Sequence, residues 1–142
     1  MLAFEQSKPS LFRLFAYGTL RRGFRLHKEL TRLGVRWVGT GTIRGELYDL
    51  GPYPGARPSS NEMSQITGEL YHVENPELAW PALDQLEGYN FESSRTSQFV
   101  RTLATVTLDG GKSVAAHVYW LNRQPVSSRV IPSGDYANRL PA

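Results

Sequence analysis

Residues 35–50 constrain the fold more than any other part of the chain, because they read as strand material throughout and yet carry Gly39 and Gly41 in their middle. Glycine inside a strand pattern marks a bulge or sharp bend. Two strand pieces, 35–42 and 43–50, are therefore expected on either side of a curve, in a sheet that bends on itself. Partners for such a sheet lie elsewhere in the chain. Residues 11–17 mix apolar side chains with one arginine and read as a buried strand closed by Gly18. Residues 98–108 and 113–121 are rich in Val, Thr, Phe and Tyr around Asp109, Gly110, Gly111 and Lys112, the pattern of a hairpin. Residues 66–73 repeat residues 43–50 at five of eight positions. One echo at a single offset makes two similar strands and not a repeat architecture.

Helical signals are few. After Gly23, Leu26, Leu30 and Leu33 recur at helical spacing while Arg25, Lys28, Glu29 and Arg32 take the other faces, and Gly34 supplies a left-handed stop. Asn75 and Pro76 form a helix start, with Asn as cap and Pro at the first position. Pro81 then predicts a kinked or two-piece segment, whose second piece ends at Gly88 and buries Leu83 and Leu86. Residues 51–60, with three prolines, are expected to form an irregular surface loop, and residues 133–136 a turn. The order of elements gives an α+β fold: a small mixed, mostly antiparallel β-barrel with flanking short helices.

With 142 residues, 40% hydrophobic and 20% charged, the chain has material for one core. A single domain over 11–137 is expected, with flexible termini at 1–10 and 138–142. No apolar run has the roughly 18 residues needed to cross a bilayer, and the first residues lack a basic region followed by an apolar block. A cytoplasmic protein without a membrane partner is expected. The absence of cysteine excludes disulfides, thiol catalysis and thiolate zinc sites. His27, His72 and His117 stand far apart with no paired ligand spacing, so no metal is expected. The net charge is +3, too modest for a dedicated nucleic-acid binder. Between residues 13 and 44, however, seven arginines and Lys28 face a single acid, Glu29. One electropositive sector is expected there, suited to an anionic ligand or simply to solvent.

Two places could carry chemistry. Tyr17, Gly18, Thr19 and Leu20 sit where a buried strand turns toward a helix, and consecutive N–H groups in such a turn can converge on an oxygen. Gly18 could equally do no more than end the strand. Glu87 lies four residues after Leu83 and just before the helix-ending Gly88, so its carboxylate shares a side with a core residue and sits at the negative end of a helix dipole. Both influences raise a carboxyl pKa, and Asp84, three residues earlier, adds repulsion. The alternative is an ordinary exposed glutamate in a last turn. There is no GxSxG elbow, no P-loop and no GxGxxG, so those chemistries lack their local signatures.

These pieces resemble the γ-glutamylcyclotransferase-like superfamily, which includes γ-glutamylamine cyclotransferases, BtrG-type enzymes and AIG2-like proteins. The resemblance rests on Tyr17-Gly-Thr-Leu20, on Gly45-Glu-Leu-Tyr-Asp-Leu-Gly51 with Tyr53-Pro-Gly55, on Gly68-Glu-Leu-Tyr71 and on Leu83-Asp-Gln-Leu-Glu-Gly88. Arg101, Tyr119 and Ser133-Gly-Asp-Tyr136 follow in order. It implies a small mixed barrel, a substrate pocket floored by Tyr17, Gly18, Thr19 and Leu20, Tyr119 in the pocket wall, and Glu87 as general acid/base. Phe99, where relatives often carry tyrosine, and Tyr136, in place of a common tryptophan, depart from the pattern on the acceptor side. The implied reaction closes the γ-glutamyl group of a small-molecule γ-glutamyl amide to 5-oxoproline and releases an amine, with no cofactor and no nucleic-acid partner. The competing reading is a non-catalytic member or a basic barrel that binds nucleic acid through its arginines with Tyr17, Phe24 and Trp37 as stacking platforms. The residues name neither the leaving amine nor an oligomeric state.

Overall fold

The computed structural model describes residues 9–139. The termini expected to be flexible fall largely outside these; of the part inside, Pro9–Phe12 is a 3-10 turn whose Leu11 carbonyl accepts from Trp80 Nε1 at 2.9 Å. The strands are β1 (Arg13–Ala16), β2 (Val35–Asp49), β3 (Pro54–Pro58), β4 (Gln65–Val73), β5 (Phe99–Leu108) and β6 (Ser113–Leu121). Two helices, α1 (His27–Arg32) and α2 (Pro76–Leu86), complete the fold.

The sheet order is β3-β2-β4-β1-β6-β5, and β5 returns to pair with β2. Five strands therefore close into a barrel, with β3 attached outside the ring as an edge on β2. All pairings are antiparallel except β1 with β6, which is parallel. That exception sets the site. Because β1 and β6 run the same way, their C-terminal ends emerge together, and the antiparallel β5 brings its first residue, Phe99, to the same rim.

Strand β1 has no polar face. Leu14 and Ala16 join a core shared with Leu30, Leu33, Ala79, Trp80 and Leu83 of the helical segments, while Phe15 and Tyr17 join a second core made of strand residues with Ile131 and Tyr136. Period-two alternation sends successive side chains to opposite faces, and here both faces are dry.

The bend expected near Gly39 and Gly41 exists, but inside one continuous strand. β2 runs unbroken from Val35 to Asp49, with a register shift against β4 between Trp37 and Gly39. Gly41 then pairs with Leu108, where β2 meets β5 and the barrel closes. The two echoing segments are neighbours, with Ile43 opposite Ile66.

Three expectations are corrected. Residues 54–58 are strand β3 and not loop, with Pro54, Gly55 and Ala56 buried. Pro54 and Pro58 occupy the terminal pairs, opposite Asp49 and Gly45, on an edge strand where a missing N–H costs little. Helix α2 passes through Pro81 as one element, capped by the Asn75 side chain on Leu78 N–H. Burial of Ala79, Trp80 and Leu83 offsets the lost backbone bond. Leu86 is exposed and not on the buried face.

A Cβ added at Gly41 would lie 2.7 Å from the Thr107 carbonyl oxygen, whereas one at Gly39 would meet nothing within 4 Å. Gly41→Ala is therefore expected to lower stability by about 2 kcal/mol, and Gly39→Ala to change it by less than about 0.5 kcal/mol. Urea denaturation of the two variants checks this; equal effects would show that barrel closure does not need the close approach at Gly41.

Candidate active site

At the rim where β1, β6 and β5 meet, the structure encloses a cavity of about 220 Å³. Its wall includes Tyr17, Gly18, Thr19, Leu20, Glu87 and Tyr119, the expected pocket and acid/base residues, whereas Asp84, Arg101 and Tyr136 do not line it. Tyr53, Pro54, Phe99, Gln98, Leu86 and Arg25 also line it, and the exposed Arg25, Leu86 and Gln98 mark its outer side. Gly18 and Glu87, far apart in the chain, meet because β1 ends beside β6 while α2 packs over that end.

The turn after β1 is held from several sides. Arg21 N–H bonds the Gly18 carbonyl at 3.0 Å, Leu26 N–H bonds Thr19 O at 3.0 Å, and His27 Nδ1–H donates to Leu20 O at 2.9 Å. Below it, the buried Glu69 carboxylate accepts from Arg22 N–H at 2.9 Å and from Tyr71 Oη at 2.6 Å. Among the described residues, the N–H groups of Thr19 and Leu20 donate to nothing. Backbone donors at a buried turn are ordinarily paired; here those of Thr19 and Leu20, like that of Gly18, have no partner among the described residues, and all three residues line the cavity. Gly18 is required by packing and not by its backbone conformation, since its φ is not positive and a Cβ there would lie 2.6 Å from Pro54 Cγ.

Tyr17 contributes rigidity. Its hydroxyl donates to the Tyr119 carbonyl at 2.6 Å and accepts from Ala56 N–H at 3.2 Å, so donor and acceptor are both engaged. Burial, and next the nearby Glu87 charge, push its phenol far above the ordinary value. The ring is buried and offers no platform for a base, unlike the exposed Trp37, which is itself covered by the Arg22 guanidinium at 3.9 Å.

Glu87 is the C-cap of α2, its N–H bonded to Leu83 O at 2.9 Å. Burial, and next the Asp84 charge, push its carboxyl up to about 7. Asp84, one helical turn earlier, is treated in the opposite way. It accepts a bidentate pair from Arg101, Nε to Oδ1 at 2.8 Å and Nη2 to Oδ2 at 3.1 Å, together with the Tyr119 hydroxyl at 2.6 Å. Arg101 lies over the Trp80 ring at 4.3 Å and donates from Nη1 to His117 Nδ1 at 3.2 Å. Burial, and next the Arg101 charge, hold His117 down at about 4, so it is a neutral acceptor at pH 7. Helix α2 thus presents two carboxyls in different settings: Asp84 fully partnered, and Glu87 pushed up to about 7 with no side-chain donor among the described residues.

Sequence reasoning did not place Arg25, Gln98, Tyr53 or Pro54 at the cavity, because the strand character of 54–58 was hidden by its prolines and Arg25 read as a solvent-facing helix residue. The electropositive sector is also smaller than expected. Arg21, Arg22, Arg32, Arg36 and Arg44 pair with Asp135, Glu69, Glu29, Glu74 and Glu62, four of them acids from outside that sector. Among the described residues no three His, Asp or Glu gather as a metal site, and no helix is long and apolar enough to cross a membrane.

The raised Glu87 pKa has a signed consequence for stability. Between the unfolded value near 4.5 and the folded value of about 7, the native state holds a proton that the unfolded chain has lost, so stability falls as pH rises through this window and levels off above it. Glu87→Gln removes that term. The variant is expected to match the wild type at pH 4 and to exceed it by about 1–3 kcal/mol at pH 8. Denaturant titrations across this range measure the difference; a gap that does not grow with pH would mean that Glu87 titrates normally.

Residues 14–138 match the family described as "Gamma-glutamyl cyclotransferase, AIG2-like". A provisional γ-glutamylcyclotransferase of Methanocaldococcus jannaschii, MJ1514, is 31% identical over 127 residues, covering 87% of this chain and 93% of its own. The γ-glutamylcyclotransferase family protein YtfP of Escherichia coli K12 is 29% identical over 134 residues, covering 89% and 97%. The crystal structure of an AIG2-like protein of Mus musculus superposes with a TM-score of 0.64 at 26% identity over 80% of each chain. With the barrel, the free turn donors and the carboxyl at the end of α2 in place, the match over nearly the whole described chain means that this protein belongs to the AIG2-like γ-glutamyl cyclotransferase family.

Proposed function

We propose that the chain is a cytoplasmic γ-glutamylcyclotransferase that needs no cofactor and converts a γ-glutamyl amide to 5-oxoproline and a free amine. The observation that carries this reading is the meeting, in one cavity, of a carboxyl raised to about 7 with the unpaired N–H groups of Thr19 and Leu20. In a γ-glutamyl amide the α-nitrogen can reach the γ-carbonyl carbon and close a five-membered lactam. The reaction then needs a folded substrate, a proton carrier and an oxyanion partner, and no protein nucleophile.

Ionised Glu87 takes a proton from the α-ammonium group, and the freed amine forms a bond to the γ-carbon. The carbonyl electrons move to oxygen, where the Thr19 and Leu20 N–H groups stabilise the charge. Collapse of this intermediate breaks the bond to the departing nitrogen as Glu87 gives it the proton, and the carboxylate so regenerated takes the second proton of the ring nitrogen and passes it to the released amine, which leaves as an ammonium. A carboxyl near 7 suits both transfers, because it is neither too weak a base for the first nor too weak an acid for the second. Asp84 is a positioning residue: held in place by Arg101 and Tyr119, it raises the Glu87 pKa without entering the cavity chemistry.

Glu87→Gln is expected to lower turnover by about 10²–10⁴-fold, because the amide keeps the shape but carries no proton. Release of 5-oxoproline from a panel of γ-glutamyl amides provides the assay, and near-normal turnover by the variant would remove Glu87 from the mechanism.

The pH dependence tests the same assignment independently. For the wild type, kcat/KM is expected to rise with pH through about 7, as Glu87 becomes ionised. Asp84→Asn should move that rise to lower pH, since it removes the charge that opposes Glu87 ionisation and leaves the Arg101 cation in place. A profile unmoved by this variant would assign the limb to another group.

A further inference from the structure

The cavity carries one positive group that the reaction does not use. Arg25, in the turn between Gly23 and α1, is exposed and lines the cavity. Arg21, Arg22, Arg32, Arg36, Arg44 and Arg101 each meet a carboxylate, but Arg25 meets none among the described residues. The other polar groups of the outer wall, Gln98 and Tyr53, hydrogen-bond to each other. An unpaired guanidinium is therefore the one charged group that the outer cavity offers to a ligand.

Its place relative to the chemistry follows from burial: Arg25 and Glu87 line the same space, but Arg25 is exposed and Glu87 half-buried, so the guanidinium lies on the solvent side of the carboxyl. Ring closure fixes which part of a substrate lies where. The α-nitrogen must contact Glu87, and the α-carboxylate carbon lies only about 2.5 Å from that nitrogen. The substituent on the departing nitrogen instead points out of the forming ring, toward the outer wall.

We infer that Arg25 binds a carboxylate carried by the departing amine, so that the enzyme selects γ-glutamyl amino acids over γ-glutamyl amines. The inference rests on the cyclotransferase reading for which part of the substrate is called departing. Arginine suits the task because its planar fork matches a carboxylate with two parallel hydrogen bonds. Its exposure also lets it guide an anionic substrate past the negative end of α2.

The test uses two substrates that differ only by that group, γ-glutamyl-L-alanine and γ-glutamylethylamide, with the full chain as wild type, Arg25→Ala and Arg25→Glu. The wild type is expected to show a KM about tenfold lower for the alanine compound. In Arg25→Ala the two KM values should come within about twofold of each other, and in Arg25→Glu their order should reverse. Equal KM values in the wild type overturn the inference, as does a loss in Arg25→Ala shared by both substrates, which would put Arg25 on the α-carboxylate or on the fold. If neither compound is turned over, the cyclotransferase reading fails by itself. Calorimetric binding of the same pair then decides on Arg25: a preference for the alanine compound that Arg25→Ala abolishes sustains it, and equal binding overturns it.

Discussion

The hydroxyl of Tyr17 is the point on which the site depends. It donates to the backbone of β6 and accepts from the backbone of β3, so a single oxygen ties the end of the central strand to one neighbour inside the barrel and to an edge outside it. Because that oxygen is buried, losing either partner would leave an unsatisfied polar group in an apolar core, at a cost of about 1–3 kcal/mol. The turn that follows cannot drift while both bonds hold. Thr19 and Leu20 are thereby held in place at the cavity wall with no ligand bound, the preorganisation that the proposed oxyanion site would need.

The second organising device is the unequal treatment of two acids on one helix. Asp84 and Glu87 are neighbours on α2, and identical surroundings would leave them to compete for ionisation. The arginine–tyrosine pair from β5 and β6 binds one of them. Trp80 and neutral His117 in turn hold the arginine. Glu87 has no such cation beside it and keeps the raised pKa that burial and the Asp84 charge give it.

Much of this was legible in the sequence. The strand that ends at Gly18, the hairpin around Gly110 and Gly111, the glycine bend in β2 and the helix start at Asn75 are local signals, and local rules read them. Glu87 was legible because its surroundings follow from helix periodicity and from the glycine after it. What was hidden depends on pairing between distant segments. Residues 54–58 look like a loop because prolines dominate them, and only their position at the edge of β2 makes a strand possible. The arginines between 13 and 44 look unopposed because four of the acids that meet them come from elsewhere. Arg25 stands out only after the others have been matched. Pro81 misleads for a related reason, since burial of Trp80 and Leu83 outweighs one absent hydrogen bond.

Strand β3 holds a position unlike that of any other wall of the cavity. It pairs as a strand with β2 alone, yet Ala56 N–H reaches the Tyr17 hydroxyl, Arg57 reaches the Leu121 carbonyl of β6, and its first residue, Pro54, rests directly on Gly18. The five ring strands are each constrained by two partners and cannot move without opening the barrel. Changes along β3 that spare Pro54 and Ala56 would therefore leave the ring closed and the Tyr17 turn anchored while altering one wall of the cavity, whereas changes at those two residues would reach the turn itself.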